Sequence, residues 1–418
     1  MEILLSHLQS RFSSSISAEG FDLYHTHLQW PHRQSIRLSI RRSTSSDNRF
    51  SLYTPRYALA FQSKTLNRVI DTLDIALNKI YAQFPWLSGC VINDGAMEKN
   101  SGVFKIRVRG NKPRLFVKDL RDESCFPTME ALRVRGFPIN ALDEDFIAPS
   151  RTLINASESS SPEVFLAQAN LINGGILLTF LGHHQAMDGI GQDQIIRLFS
   201  KACRKEEFTE EEKSVVNLAV GNTIPLLEML SQLPSILDYQ IISKPSALSQ
   251  SAPTPTPDCT WSSFSFPEAS LEALKSAATQ DQAGVFGGFV STDDALSTFI
   301  WKSVTTARLA HLPPSTPSTF ARAVDVRSLL SIPPLHPGFI QNMTYNTFTF
   351  QQRSSMPLGV LASHLRFQVD PKTSTLAYDT RALATFLSRT ADKSYVSFAA
   401  TMNGASDTFF SSWAKMRS

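Results

Sequence analysis

Two apolar runs, Val164 to Ile172 and Ile176 to Leu181, are joined by Asn173-Gly174-Gly175 and lead directly into Gly182-His183-His184-Gln185-Ala186-Met187-Asp188-Gly189-Ile190-Gly191. Glycines at the joint permit the positive φ angles of a tight turn, so the runs read as a β-hairpin whose second strand stops at the histidines. Beyond Gly191, apolar residues Ile195, Ile196, Leu198, Phe199 and Cys203 recur as on a helix buried along one side. The chain is thereby held to strand, turn, strand, helix, with two imidazoles and a carboxylate at the last junction.

At 418 residues and 42% apolar content, the chain exceeds the size at which one hydrophobic core stops growing, and two domains are expected. Upstream of the hairpin, Val69, Ile70, Leu73, Leu77 and Ile80 mark an amphipathic helix from Leu66 to Phe84, ended by Pro85-Trp86-Leu87-Ser88-Gly89 before a strand at Cys90. Val103 to Val108 alternates apolar and basic residues like a half-buried strand, and Arg114 to Val117 is a further strand candidate. The Ser- and Arg-rich stretch from residue 9 to 50 shows little periodicity and is expected to be irregular. Downstream, the helix frays into charged Arg204 to Lys213, and Pro225, Pro234, Pro245, Pro253, Pro255 and Pro257 mark a crossover. The division is therefore a first lobe over 1–205, a linker over 206–259 and a second lobe over 260–418. In that lobe a strand at Thr260 to Phe266 precedes helices from Pro267 and from the N-cap Ser291-Thr292-Asp293-Asp294. Strands at Ala321 to Val326 and Thr344 to Phe350, helices at Leu358 to Phe367 and Leu383 to Ser388, and a strand at Tyr395 to Thr401 follow.

An imidazole titrates near neutral pH, so His183 and His184 are candidate general bases. On a strand they point to opposite faces, and only one enters a given cleft. Asp188 can shape the turn by accepting backbone amides or by pairing with a distant cation, and Gly189 and Gly191 allow close backbone approach at the helix start. Spacing alone admits a mixed His/Asp metal site, but no third ligand cluster accompanies it. Gly-x-Ser-x-Gly, a phosphate loop and a dinucleotide fingerprint are all missing. Cys90, Cys125, Cys203 and Cys259 fit neither a zinc pair nor a disulfide framework, so reduced thiols and a cytoplasmic location are expected. Lys+Arg 40 against Asp+Glu 37 leaves a net charge of +3, which gives little reason to expect nucleic acid or an anionic membrane as partner.

His184, Asp188 and Gly189 resemble the H-x-x-x-D-G signature of the BAHD acyltransferases, in particular the fungal trichothecene 3-O-acetyltransferase-like branch. Further motifs follow in the family's order. Pro85-Trp86-Leu87-Ser88-Gly89 resembles the exit of its first helix, and Ser291-Thr292-Asp293-Asp294-Ala295-Leu296 with Trp301 its second-lobe helix. Val324-Asp325-Val326-Arg327-Ser328 resembles its D-x-R box, and Pro333-Pro334-Leu335-His336-Pro337-Gly338-Phe339 with Asn342 its proline-rich loop.

The resemblance implies an α/β fold of two chloramphenicol-acetyltransferase-like domains, with mixed sheets flanked by helices and an active-site channel at their interface. It implies acyl-CoA, with acetyl-CoA foremost, as co-substrate, no bound cofactor or metal, and a small-molecule alcohol as acceptor, handled by a monomer. His184 becomes the base that activates the acceptor for direct attack on the thioester, and a donor in the cleft must hold the oxyanion. Asp188 is implied to pair with Arg327, and Gly189 to keep the channel open. The family's D-F-G-W-G has no counterpart after Ser411-Ser412-Trp413, so the second lobe is expected to be truncated before that motif; Leu38-Ser39-Ile40-Arg41-Arg42 carries arginines where the family has Leu-Asp. A secondary-metabolite O-acyltransferase is the first reading. A peptide-synthetase-type condensation domain shares the histidine motif but not the D-V-R box, and a truncated non-catalytic paralogue is the third.

Overall fold

Periodicity in the first half becomes one mixed sheet with a helical cover. A computed structural model describes residues 35–41, 57–61, 66–110, 112–138, 141–150, 162–218, 223–228, 233–242, 261–281 and 288–414. Strands β1 (Ser35–Arg41) and β2 (Tyr57–Phe61) precede helix α1 (Leu66–Gln83), then β3 (Cys90–Asp94), β4 (Val103–Arg107) and β5 (Phe116–Asp119). Short helices α2 (Met129–Val134) and α3 (Glu144–Ile147) lead to the hairpin β6 (Phe165–Ile172) and β7 (Gly175–Gly182), and then to helix α4 (Gly189–Cys203). The main sheet has the order β2-β7-β6-β5, with only β5 and β6 parallel. Every residue of β7 is buried, which is why its sequence is a continuous apolar run rather than an alternating one. Gly174 sits at φ 90° in the two-residue turn closed by Ile172 and Gly175, as the glycine-bearing joint requires.

The core of this half lies between the sheet, α1 and α4. Leu77 and Ile80 from α1, Phe84 just after it, and Ile195 and Phe199 from α4 close on Phe165 and Phe180. Phe180 stacks on Phe165 at 5.8 Å and meets the edge of Phe199 at 5.1 Å. Such aromatic pairs add roughly 0.5–1.5 kcal/mol beyond the area they bury. The packing fixes the angle at which β7 hands the chain to α4, and so fixes the junction that carries the histidines.

After α4 comes α5 (Glu210–Val216), and the second half comprises β8 (Trp261–Pro267), α6 (Glu268–Gln280), α7 (Thr292–Arg308), β9 (Pro317–Asp325), β10 (Gln341–Thr349), α8 (Phe350–Ser355), α9 (Leu358–Phe367), α10 (Leu376–Arg389) and β11 (Thr408–Ser411). Its sheet has the order β10-β9-β11, antiparallel then parallel. Trp301, Phe320, Leu361 and Leu365 form the centre of a second core. Ser291 and Asp294 build a reciprocal capping box at the start of α7, and Asp294 also takes the Arg322 guanidinium at 2.8 Å. The Ser-Thr-Asp-Asp motif is thus a helix start tied to a strand. The two larger sheets are mixed and flanked by helices, as expected for the α/β class, and β1-β8 and β3-β4 are separate antiparallel pairs. No helix among the described residues is long and apolar enough to cross a membrane.

Several local expectations change. Ser35–Arg41, read as irregular, pairs antiparallel with Trp261–Pro267 across more than half the chain; no local pattern announces so remote a partner. The charged stretch after Cys203 does not fray, because Thr209 and Glu212 form a capping box that opens α5. β4 is not half-buried, since Val103 and Phe104 are exposed on a strand that, among the described residues, pairs with β3 alone. Tyr395 to Thr401 is a series of turns, not a strand, bridged once to the crossover between Val396 and Ile241. The crossover is anchored there, with Ser397 donating its backbone N–H to the Gln240 carbonyl at 2.8 Å.

Candidate active site

Between β7 and α4 the backbone reverses, with the amides of Ala186 and Met187 both donating to the His183 carbonyl at 2.9 and 3.0 Å. This turn separates the two histidines. His183 is fully buried, its backbone N–H donates to the Val164 carbonyl at 2.8 Å and its Nδ1 accepts the Gln185 amide at 3.2 Å. Burial, with the nearby His184 charge, pushes its pKa down to about 4, so it packs as a neutral ring. His184 stays partly exposed. Its Nδ1 lies 3.3 Å from the Met187 carbonyl; a carbonyl can only accept, so this contact selects the tautomer with the proton on Nδ1 and a lone pair on Nε2. Burial holds the His184 pKa below the ordinary imidazole value, and its ring meets that of Phe339 edge to face at 5.3 Å.

Asp188 does both of the jobs open to it. It is the N-cap of α4, its Oδ1 accepting the Gly191 amide at 2.8 Å. It also pairs with Arg327 through both oxygens at 2.9 Å, and its Oδ2 accepts the Ile340 amide at 2.9 Å. Arg327 spends its remaining donors on the Asp325 carboxylate (2.8 Å) and on the carbonyls of His336 (3.0 Å) and Gly338 (2.6 Å). Asp188 and Arg327 are each only 2% exposed; ions so buried hold their charge only when every donor and lone pair is met. Burial opposes the guanidinium charge, yet the Asp188 and Asp325 carboxylates raise its pKa above the ordinary value.

The D-V-R box and the proline-rich loop therefore wrap one cation, and that cation holds the turn after β7. His336 belongs to the same wrap. Its Nδ1 accepts the Gly338 amide at 3.1 Å, which leaves Nε2 to donate to the Thr223 hydroxyl at 3.2 Å. Asn342, fully buried, accepts from Gln240 Nε2 at 2.9 Å and donates to the Thr380 hydroxyl at 3.0 Å, locking the crossover to β10.

The expected site residues are brought together: His184, Asp188 and Gly189 lie on one turn, with Arg327 docked on it from the second half. Gly189 is the first residue of α4, but the close backbone approach lies at Gly191. A Cβ there would stand 1.8 Å from the Pro337 carbonyl oxygen and 2.7 Å from its carbon. Gly191→Ala must push the proline-rich loop off the helix; the expected result is a loss of about 1–3 kcal/mol in unfolding free energy together with lower turnover, read by denaturant titration and initial rates. Sequence reasoning gave no role to Phe339 or His336, since neither sits in a periodic segment; the loop's spacing after Arg327 is the one signal that pointed to them.

Other chemistries find less support at this place. Among the described residues no group of three His, Cys, Asp or Glu side chains stands close enough to share a metal ion. Burial pushes the Cys203 thiol up to about 11, far from a nucleophilic thiolate.

Residues 52–203 match the trichothecene 3-O-acetyltransferase-like N-terminal domain, and residues 140–415 match the Transferase family. The chain is 45% identical over 360 residues to the O-acetyltransferase dmxR13 of Cryptosporiopsis sp., covering 85% of this chain and 78% of that protein. It is also 45% identical to trichothecene 3-O-acetyltransferase TRI101 of Fusarium sporotrichioides, over 83% of this chain and 75% of the relative. The crystal structure of F. sporotrichioides TRI101 complexed with coenzyme A and T-2 superposes with a TM-score of 0.78 at 41% identity, covering 88% of this chain and 81% of that one. On these matches the chain belongs to the Transferase family, with an N-terminal domain of the trichothecene 3-O-acetyltransferase-like kind.

Proposed function

We propose that the protein is an acyl-CoA-dependent O-acyltransferase, an acetyltransferase foremost, acting on a hydroxyl of a small secondary metabolite, with His184 as general base. The observation that carries this reading is the His184 tautomer: Nδ1 is committed to the Met187 carbonyl, and Nε2 is the lone pair offered at a partly exposed position. In the reaction, Nε2 takes the proton of the acceptor hydroxyl as its oxygen attacks the acyl carbonyl carbon of acyl-CoA. The tetrahedral intermediate then collapses, the C–S bond breaks, and the CoA thiolate recovers the proton from His184, giving ester and free CoA. Asp188 and Arg327 act through position, holding the turn that aims the imidazole, and Gly189 leaves the channel beside His184 clear. The CoA-bound relative supports the donor, and the O-acetyltransferase relatives support the acceptor class. Because both halves of the site come from one chain, we take the enzyme as a monomer. We place it in the cytoplasm on its free thiols at Cys90, Cys125 and Cys203.

The test is release of CoA from acetyl-CoA with a panel of terpenoid, polyketide and alkaloid alcohols, followed against pH. A base must be neutral to work, and His184 has a lowered pKa. The expected kcat/KM therefore climbs as pH rises through an acid limb lying below the ordinary imidazole value of roughly 6.5, and is flat from there to pH ~8. Absence of transfer to any acceptor, or a limb displaced above that value, overturns the reading.

A further inference from the structure

Around the histidine junction nearly everything is sealed: His183, Asp188, Arg327, His336, Gly338 and Ile340 are all buried. Three rings are not. His184, Phe339 and Phe398 keep part of their surface open, and they form a series, with His184 edge-on to Phe339 at 5.3 Å and Phe339 stacked on Phe398 at 6.2 Å and 20°. The far end is braced: the Tyr345 hydroxyl donates to the Phe398 carbonyl at 2.7 Å, and Tyr345 itself stacks on Tyr239 of the crossover at 4.6 Å and 5°. Partly exposed aromatic rings beside a proton acceptor are what a small-molecule site presents to a ligand with an apolar body and one polar group.

We propose that Phe339 and Phe398 form an aromatic shelf on which the fused-ring skeleton of the acceptor alcohol lies, with Phe398 setting the preference for ring-bearing over short-chain alcohols. This rests on the acyl-transfer reading above and adds the surface that selects the substrate. The two rings differ in role. Phe339 touches the His184 imidazole and so also positions the base, whereas Phe398 is one ring removed from the base and packs against the cluster of Ala321, Met343 and Tyr345.

Their separation gives the test. Wild type, Phe398→Ala and Phe398→Tyr are compared with acetyl-CoA and two acceptors, a fused-ring sesquiterpenoid alcohol and 1-butanol, with melting curves as the folding control. Wild type is expected to favour the fused-ring alcohol. Phe398→Ala lowers its kcat/KM about tenfold or more, the scale of roughly half the burial of a phenyl ring. The loss resides in KM, and the ratio of the two acceptors falls by the same factor. Phe398→Tyr, which keeps the ring, restores the ratio. If Phe398→Ala melts far below wild type, Phe398→Leu, which keeps bulk without the aromatic face, is read in its place. An equal loss on both acceptors, or a loss confined to kcat, makes Phe398 a packing residue and overturns the shelf alone. No transfer by wild type to either alcohol or to the wider panel overturns the acyl-transfer reading and the shelf with it.

Discussion

Alanine at position 184 lowers kcat by about 10²–10⁴-fold, the share of a rate enhancement that a positioned general base supplies. A thousandfold loss corresponds to roughly 4 kcal/mol of transition-state stabilisation. The effect falls on kcat because the proton moves only as the hydroxyl attacks, so the imidazole contributes little to ground-state binding. KM for acetyl-CoA stays near its wild-type value. Folding is spared for a reason visible in the structure: among the described residues the His184 side chain makes a long hydrogen bond, 3.3 Å to the Met187 carbonyl, and an aromatic contact with Phe339, at a partly exposed position. The measurement is initial CoA release at saturating substrates, paired with a melting curve. His184→Gln is a sharper version, since an amide fills the imidazole's space but takes no proton near neutral pH. Turnover near wild type in either variant removes His184 from the mechanism.

Much of this site can be read from the chain because its parts are locally encoded. The hairpin β6–β7 and helix α4 follow from continuous apolar runs, a glycine-bearing turn and helical spacing. Strand alternation set His183 and His184 on opposite faces; the structure does separate them, one buried and one partly exposed, but by a turn, since β7 ends at Gly182. Remote pairing is another matter. The partnership of Ser35–Arg41 with Trp261–Pro267 and that of Tyr57–Phe61 with β7 depend on surfaces made elsewhere in the chain, and neither strand carries enough pattern to reveal it. Tyr395 to Thr401 shows the converse: β-prone composition that, among the described residues, finds a single bridge at Ile241 folds into turns. The choice between Gly189 and Gly191 lay beyond any pattern, since both open the same helix and only the approach of Pro337 separates them. The ion pair from Asp188 to Arg327 came from family resemblance, as 139 positions separate the two residues. The wrap of carbonyls around its guanidinium needed coordinates.

That ion pair carries the second large effect. Arg327→Met leaves the Asp188 carboxylate buried with the Gly191 and Ile340 amides as its remaining partners. Asp188→Ala leaves the guanidinium with Asp325 and two carbonyls and also strips the N-cap from α4. Each single change is expected to cost about 3–5 kcal/mol of unfolding free energy, a large part of the ~5–15 kcal/mol that holds a typical domain. In Asp188→Ala roughly 1 kcal/mol of this is the lost cap. The double variant is expected to cost less than the sum of the singles by roughly 0.5–3 kcal/mol, because the penalty in each single comes largely from the charge left behind. Urea titration of the four proteins closes the cycle, and strict additivity would mean that the two charges do not depend on each other. Kinetics separate this role from that of the base. The Ile340 amide is bonded to Asp188, and its neighbour Phe339 carries the edge contact to His184. Releasing the loop therefore lets the imidazole wander, and kcat falls in both single variants. The acid limb of the pH profile nevertheless persists, since the proton acceptor itself is still present. A variant that keeps its stability but loses that limb would instead assign the proton transfer to the Asp188–Arg327 pair.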